Sequence, residues 1–252
     1  MKIKLFTIPN CITLVNLLCG IGSIISSLVY NDLQMAFAFV IASAVADFCD
    51  GFAARLLKQY SALGVQLDSL ADMVSFGVAP AIAMSVLCGQ MPSVLGLSEQ
   101  VSEWLCYLPL VIALLSALRL AKFNIDERQH TGFIGMPTPA NAIFWGAIIT
   151  GSQEYLSSPR FNVIFLFAFM IMFCWLMVSE IRMFSLKFKN LSWEDNKVKY
   201  VFVLSAIIIL LLSAGQSDGS TANTIQMLSR GVAGCIGLYI LMSILTHFRR
   251  ED

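Results

Sequence analysis

Eight long apolar stretches, at 12–30, 33–57, 63–88, 104–120, 133–150, 161–179, 200–217 and 231–246, constrain this chain more than any other feature. Each approaches the roughly 20 residues with which an α-helix crosses a hydrocarbon core of about 30 Å, and helices satisfy their own backbone hydrogen bonds, as lipid demands. The expected fold is all-α: a polytopic integral membrane helical bundle of about eight transmembrane helices. With 58% hydrophobic and only 13% charged residues, against roughly 25% charged in soluble domains, disorder and an ordinary soluble fold are excluded. The 16 basic and 16 acidic residues cancel, so no general attraction to nucleic acid exists and no such partner is expected.

The position of the charges carries more than their sum. Assigning the connecting segments alternately to two sides, one side receives Lys2, Lys4, Arg55, Lys58, Arg119, Lys122, Arg128, Arg182, Lys187, Lys189, Lys197, Lys199, Arg249 and Arg250, and the other only Arg160 and Arg230. Basic loops face the cytoplasm, so an even helix count places both termini there, in the cytoplasmic (inner) membrane. The first run exceeds the roughly 7–15 apolar residues of a secretory signal and no Ala-x-Ala site follows, so this helix is expected to remain. Seven scattered cysteines without a C-x-x-C pair read as small core or lipid-facing residues rather than a disulfide frame or zinc site. A single membrane domain spanning 1–252 is expected.

Four carboxylates interrupt the second and third stretches: Asp47, Asp50, Asp68 and Asp72. Each costs at least about 2.5 kcal/mol within a bilayer. Residues three or four apart share a helix face, and the short connection at 55–63 makes the two helices an antiparallel hairpin, so the acidic faces converge. Asp47 precedes Arg55 by about 12 Å of helix axis, which puts the cluster just below the cytoplasmic interface. Unpaired, the four would repel one another; two divalent cations would offset them, and oxygen donors without His or Cys favour Mg²⁺ or Mn²⁺. Structural ion pairs with Arg55 or Lys58, or a cation-transport path, are the alternatives.

The full segment, DFCDGFAARLLKQYSALGVQLDSLAD at 47–72, fits D-x2-D-G-x2-A-R-x8-G-x3-D-x3-D at every fixed position and resembles the signature of the CDP-alcohol phosphotransferases. Gly51, Ala54 and Gly64 are small enough for a pyrimidine or phosphate to approach the backbone, though small residues also serve helix packing. Arg55 can offer a bidentate fork to phosphate, or snorkel to the interface. The resemblance implies that Gly51, Ala54, Arg55 and Gly64 hold the CDP moiety. It also implies that the aspartates bind metal, with Asp72 in addition the general base. Upstream, IPNCITLVNLLCG at 8–20 places Asn10, Thr13 and Asn16 on one helical face. Thr13 and Asn16 either bond a neighbouring helix or contact the nucleotide, as similar family positions do.

Two further segments, RLAKFNIDERQHTGFIGMPTPANA at 119–142 and MVSEIRMFSLKFK at 177–189, resemble those of family members that make phosphatidylserine from CDP-diacylglycerol and L-serine. The resemblance then covers a catalytic core at 8–190, with two additional helices at 198–248, and implies a homodimer. Serine brings a carboxylate to a site already holding a diphosphate, so extra basic groups are required. Arg119, Lys122, Arg182 and Lys187 are the candidates, with Asn124, Thr138 and Ser185 as neutral hydrogen-bonding groups; each cation equally serves topology or anionic lipid. Pro137 and Pro139 read as turn formers before the fifth helix, and His130 as an exposed loop residue. Glycerol 3-phosphate or inositol phosphate as acceptor, and a divalent-cation transporter, are the competing readings.

Overall fold

Side-chain oxygens cap the starts of the first two helices. Thr7 accepts a hydrogen bond from the Asn10 amide, Pro9 occupies the first turn and α1 runs Ile8–Leu28; proline there forfeits only an N–H that has no helical partner. Asp32 caps α2 (Leu33–Leu56) by accepting from the Met35 amide at 2.8 Å. The computed structural model describes residues 4–91, 99–126, 128, 133–158, 160–185 and 192–248.

α2 ends where Lys58 adopts a φ of +53°, the left-handed conformation that closes many helices. Ser61 caps α3 (Ala62–Asp72) by accepting from the Gly64 amide at 2.9 Å, and the expected antiparallel hairpin results. Directly after Asp72 the helix widens into a π-helical segment, Met73–Val78, before α4 (Ala79–Gln90). Such widenings are rare and concentrate at functional sites. Pro80, which cannot donate to the turn behind it, follows the widened segment. The fourth rod is likewise composite, with α5 (Glu99–Leu105), a 3₁₀ turn at Leu108–Leu110 and α6 (Val111–Ile125).

Four helices complete the chain: α7 (Thr138–Leu156), α8 (Val163–Val178), α9 (Trp193–Gly215) and α10 (Thr221–Phe248). The helix expected from 133 starts later. Phe133–Ile134 is instead strand β1, paired antiparallel with β2 (Arg182–Met183). Gly135 follows with a φ of +77°, and Pro137 and Pro139 set the start of α7. The last two helices start earlier than their apolar runs, because polar first turns at 193–199 and 221–230 are already helical. Arg230 is therefore not a loop charge: it lies within α10, where its Nε donates to the Gly151 carbonyl at 2.6 Å, beside the non-helical Ser152 of α7.

The protein is an all-α polytopic membrane protein, with six helical segments long and apolar enough to span a bilayer among the described residues. Those six are α1, α2, the α3–α4 rod, the α5–α6 rod, α9 and α10; α8 is apolar but only 16 residues long. Phe144, Trp145 and Phe173 pack ring to ring between α7 and α8, with the Phe144 and Phe173 centroids 4.2 Å apart. Phe76, Met84, Leu87 and Ile112 extend this core, each fully buried. Outward, Phe48, Leu18 and Leu211 are 69%, 66% and 67% exposed, the inverse of a soluble protein and the surface that lipid covers. All seven cysteines are free.

Candidate active site

The tight turn at 57–61 brings the acidic faces of α2 and α3 together. One carboxylate oxygen from each of Asp47, Asp50 and Asp68 lies within 4.8 Å of the others. Asp68 Oδ1 is buried and has no hydrogen-bond partner, a cost that a protein tolerates when something else fills the role. Oxygen-only donors at this spacing fit a hard divalent cation. Asp72, one turn beyond Asp68, stands outside this trio but within electrostatic reach of all three.

α1 supplies the polar wall. Thr13 Oγ1 lies 2.6 Å from Asp50 Oδ2 and 3.1 Å from the Pro9 carbonyl; its single proton goes to the nearer, charged acceptor. Asn16 is completely buried and donates through Nδ2 to Asp72 Oδ1 at 3.2 Å. Its carbonyl accepts from both Ser43 of α2 and Ser75 of the π segment, each at 3.1 Å. Thr13 and Asn16 thus share a helix face yet hold different carboxylates.

Beside the trio opens a cleft of about 200 Å³. Its walls include Thr13, Gly51, Ala54, Arg55 and Gly64, expected to face the nucleotide, together with Asp50 and Asp68, expected to bind metal. Asn16 is not among them. Gln59, Tyr60 and Ser61 also line the cleft; they lie within the variable x8 stretch of the signature, where only their place in the turn identifies them.

The candidate acceptor residues separate into distinct environments. Arg119 is only 5% exposed, its Nε has no hydrogen-bond partner, and none of the ion pairs among the described residues includes it. Its guanidinium lies 4.8 Å from the Phe123 ring centroid and 6.0 Å from that of Phe133, with Asp72 and Tyr239 the ionisable groups that act on it. Lys122 is engaged by Glu180, which also pairs with Arg128. Arg128 in turn pairs with Asp126. The bonds from Arg128 hold the Asp126 carboxyl below the usual range, and Lys122 and Arg128 do the same for Glu180. Asn124 donates to Ser69 at 2.8 Å, Thr138 is fully buried with an unpartnered hydroxyl, Arg182 projects outward from β2 and Ser185 is half-buried. Lys187 and His130 lie outside the described residues.

The sequence matches the family model described as CDP-alcohol phosphatidyltransferase over residues 6–186. A protein of Bacillus subtilis named CDP-diacylglycerol–serine O-phosphatidyltransferase is 41% identical over 133 residues, 52% of this chain and 69% of the relative. Helicobacter pylori has a protein of the same name, 30% identical over 212 residues, 83% of this chain and 81% of the relative. That of Methanocaldococcus jannaschii is 33% identical over 179 residues, 71% and 74% of the two chains. With Asp50 and Asp68 of the acidic signature lining one cleft and the family match running through all but the last two helices, the chain belongs to the CDP-alcohol phosphatidyltransferase family.

Proposed function

We infer that this protein transfers the phosphatidyl group of CDP-diacylglycerol to the hydroxyl of L-serine, giving phosphatidylserine and CMP. The observation that carries this reading is the convergence of the Asp47–Asp50–Asp68 trio, the adjoining cleft and Asp72. The name shared by relatives at 30–41% identity supports serine as the acceptor. Gly51, Ala54 and Gly64 leave room for the CDP moiety against the backbone, Arg55 meets the diphosphate and Thr13 fixes the Asp50 carboxylate. Asp47, Asp50 and Asp68, with Asp72 alongside, are the residues to hold two divalent cations, Mg²⁺ or Mn²⁺. Bound there, the cations would neutralise the diphosphate and the departing CMP.

Asp72 accepts the serine hydroxyl proton as that oxygen forms its bond to the phosphatidyl phosphorus and the bond to the CMP oxygen breaks. Asn16 holds one Asp72 oxygen and leaves the other for the proton. A buried arginine that reaches Asp72 only through space and forms no direct ion pair among the described residues is costly to maintain, and the serine carboxylate is its natural partner; Arg119 is accordingly the acceptor's anchor. Lys122, already neutralised by Glu180, drops out of that role. Thr138 and Ser185 are the neutral contacts, while Asn124 is committed to Ser69. The site faces the cytoplasm, following the basic loops, and the working unit is a homodimer in the cytoplasmic membrane.

The test is CMP release by purified protein from CDP-diacylglycerol with Mn²⁺ or Mg²⁺, comparing L-serine, glycerol 3-phosphate, inositol 1-phosphate and no acceptor. Serine-dependent release with phosphatidylserine formed is the expected result. Release driven by a phosphorylated acceptor instead would retain the donor site and overturn the serine assignment.

A further inference from the structure

The family match stops at residue 186, and α10 lies wholly beyond it. Even so, α10 sends a side chain back towards the chemistry. Tyr239 is 7% exposed and donates its hydroxyl proton to the Phe184 carbonyl at 3.0 Å. Its ring centroid lies 4.9 Å from that of Phe184 and 5.9 Å from that of Phe202 on α9. Phe184 directly follows β2, and β2 pairs with β1 through Phe133 opposite Met183. Phe133 is one of the two rings against the Arg119 guanidinium. Tyr239 thus secures the far end of the wall that packs on Arg119, and it is itself within electrostatic reach of that arginine.

The chemistry of this neighbour suits a receptor that must stay charged. A carboxylate at 239 would pair with Arg119 and compete with an incoming anion. A phenol whose proton is committed to Phe184 presents only lone pairs to its other neighbours, which favours a nearby cation without neutralising it. We propose that Tyr239, outside the family core, is a positioning residue for acceptor binding, holding Arg119 and the β1–β2 ladder in the arrangement that receives the serine carboxylate. The proposal rests on the reading in which Arg119 anchors serine.

The test compares two variants of the full-length protein on α10. Tyr239→Phe removes one hydrogen bond and keeps the packing. Arg230→Met removes the contact to Gly151 further along the same helix, away from the proposed site. Tyr239→Phe is expected to raise the KM for serine about fivefold, the loss of roughly one hydrogen bond. Its KM for CDP-diacylglycerol and its kcat should stay near wild type, and its thermal midpoint should fall no further than that of Arg230→Met. Arg230→Met is expected to lower the thermal midpoint without a selective effect on serine. An unchanged serine KM in Tyr239→Phe would overturn the proposal. So would a parallel change in both KM values and in stability, which is the signature of a scaffold role. Wild-type protein that releases no CMP with serine would overturn the acceptor assignment itself, and this proposal with it.

Discussion

At the level of single residues, the site depends on side chains that hold carboxylates in place. Thr13 spends its one proton on Asp50, a charge-assisted bond worth about 1.5–3 kcal/mol. Thr13→Val should therefore raise the Mn²⁺ concentration for half-maximal CMP release by about tenfold or more; an unshifted titration would detach Thr13 from the acidic cluster. Asp72→Asn should reduce turnover by on the order of 10²–10⁴, the usual contribution of a positioned base. Binding of CDP-diacylglycerol, measured directly, should largely survive. The sequence made Thr13 and the four aspartates legible because their spacing alone puts them on facing helix sides. Arg119 was visible only as one of several cations, since its burial depends on Phe123 and Phe133, which approach it from its own helix and from a distant strand. Tyr239 carried no signal, because no periodicity in α10 reports what a separate loop brings against it.

At the level of elements, the decisive contact is that of α1 with the π segment. Ser75 sits so close to Gly20 that a β-carbon there would lie 2.8 Å from the Ser75 Cα, and the same serine donates to the Asn16 carbonyl. Gly20→Val should overpack this contact at a cost of about 1–3 kcal/mol and lower the thermal midpoint in detergent by several degrees. Loss of Asp72 function should accompany it, because Asn16 moves with α1. The widening at Met73–Val78 left no trace in the apolar run from 63 to 88, since local hydrogen-bond register is invisible to hydropathy. The β1–β2 ladder was equally hidden within an apolar stretch, although Gly135 and the two prolines mark its end. The Lys122–Glu180–Arg128–Asp126 clasp beside it is only partly covered, with Glu180 and Arg128 exposed, and adds little stability per pair. Because the folded-state pKa values of Asp126 and Glu180 are depressed, its contribution is present above the ordinary carboxylate range and fades only as pH falls through the lowered values. The difference in thermal midpoint between wild type and Glu180→Gln should accordingly be small and the same at pH 7 and pH 5; a difference that vanished at pH 5 would contradict the depressed value of Glu180.

At the level of the whole molecule, the eight apolar runs each correspond to a helical rod, and lipid sets how many of those rods cross. The 16 residues of α8 extend about 24 Å and the 19 of α7 about 28 Å, at 1.5 Å per residue, both short of a core of about 30 Å. Protease-cleavable tags at the two ends offer a direct check. With both termini on the basic side, both tags should be protected in right-side-out vesicles and cleaved in inverted ones. A split result would mean an odd number of crossings and single out α8 as the rod that does not traverse. The outer wall was legible from hydropathy because lipid demands it of every such chain, whereas Arg230 was misplaced among the loop charges because a polar first turn conceals an early helix start. One arrangement has a longer reach. Every wall of the cleft comes from residues 9–68, while Arg119, Thr138 and Tyr239 all come later in the chain. On the proposed assignment, donor and acceptor recognition lie on separate stretches of polypeptide, so descent with modification can redraw the choice of alcohol while leaving the nucleotide half untouched.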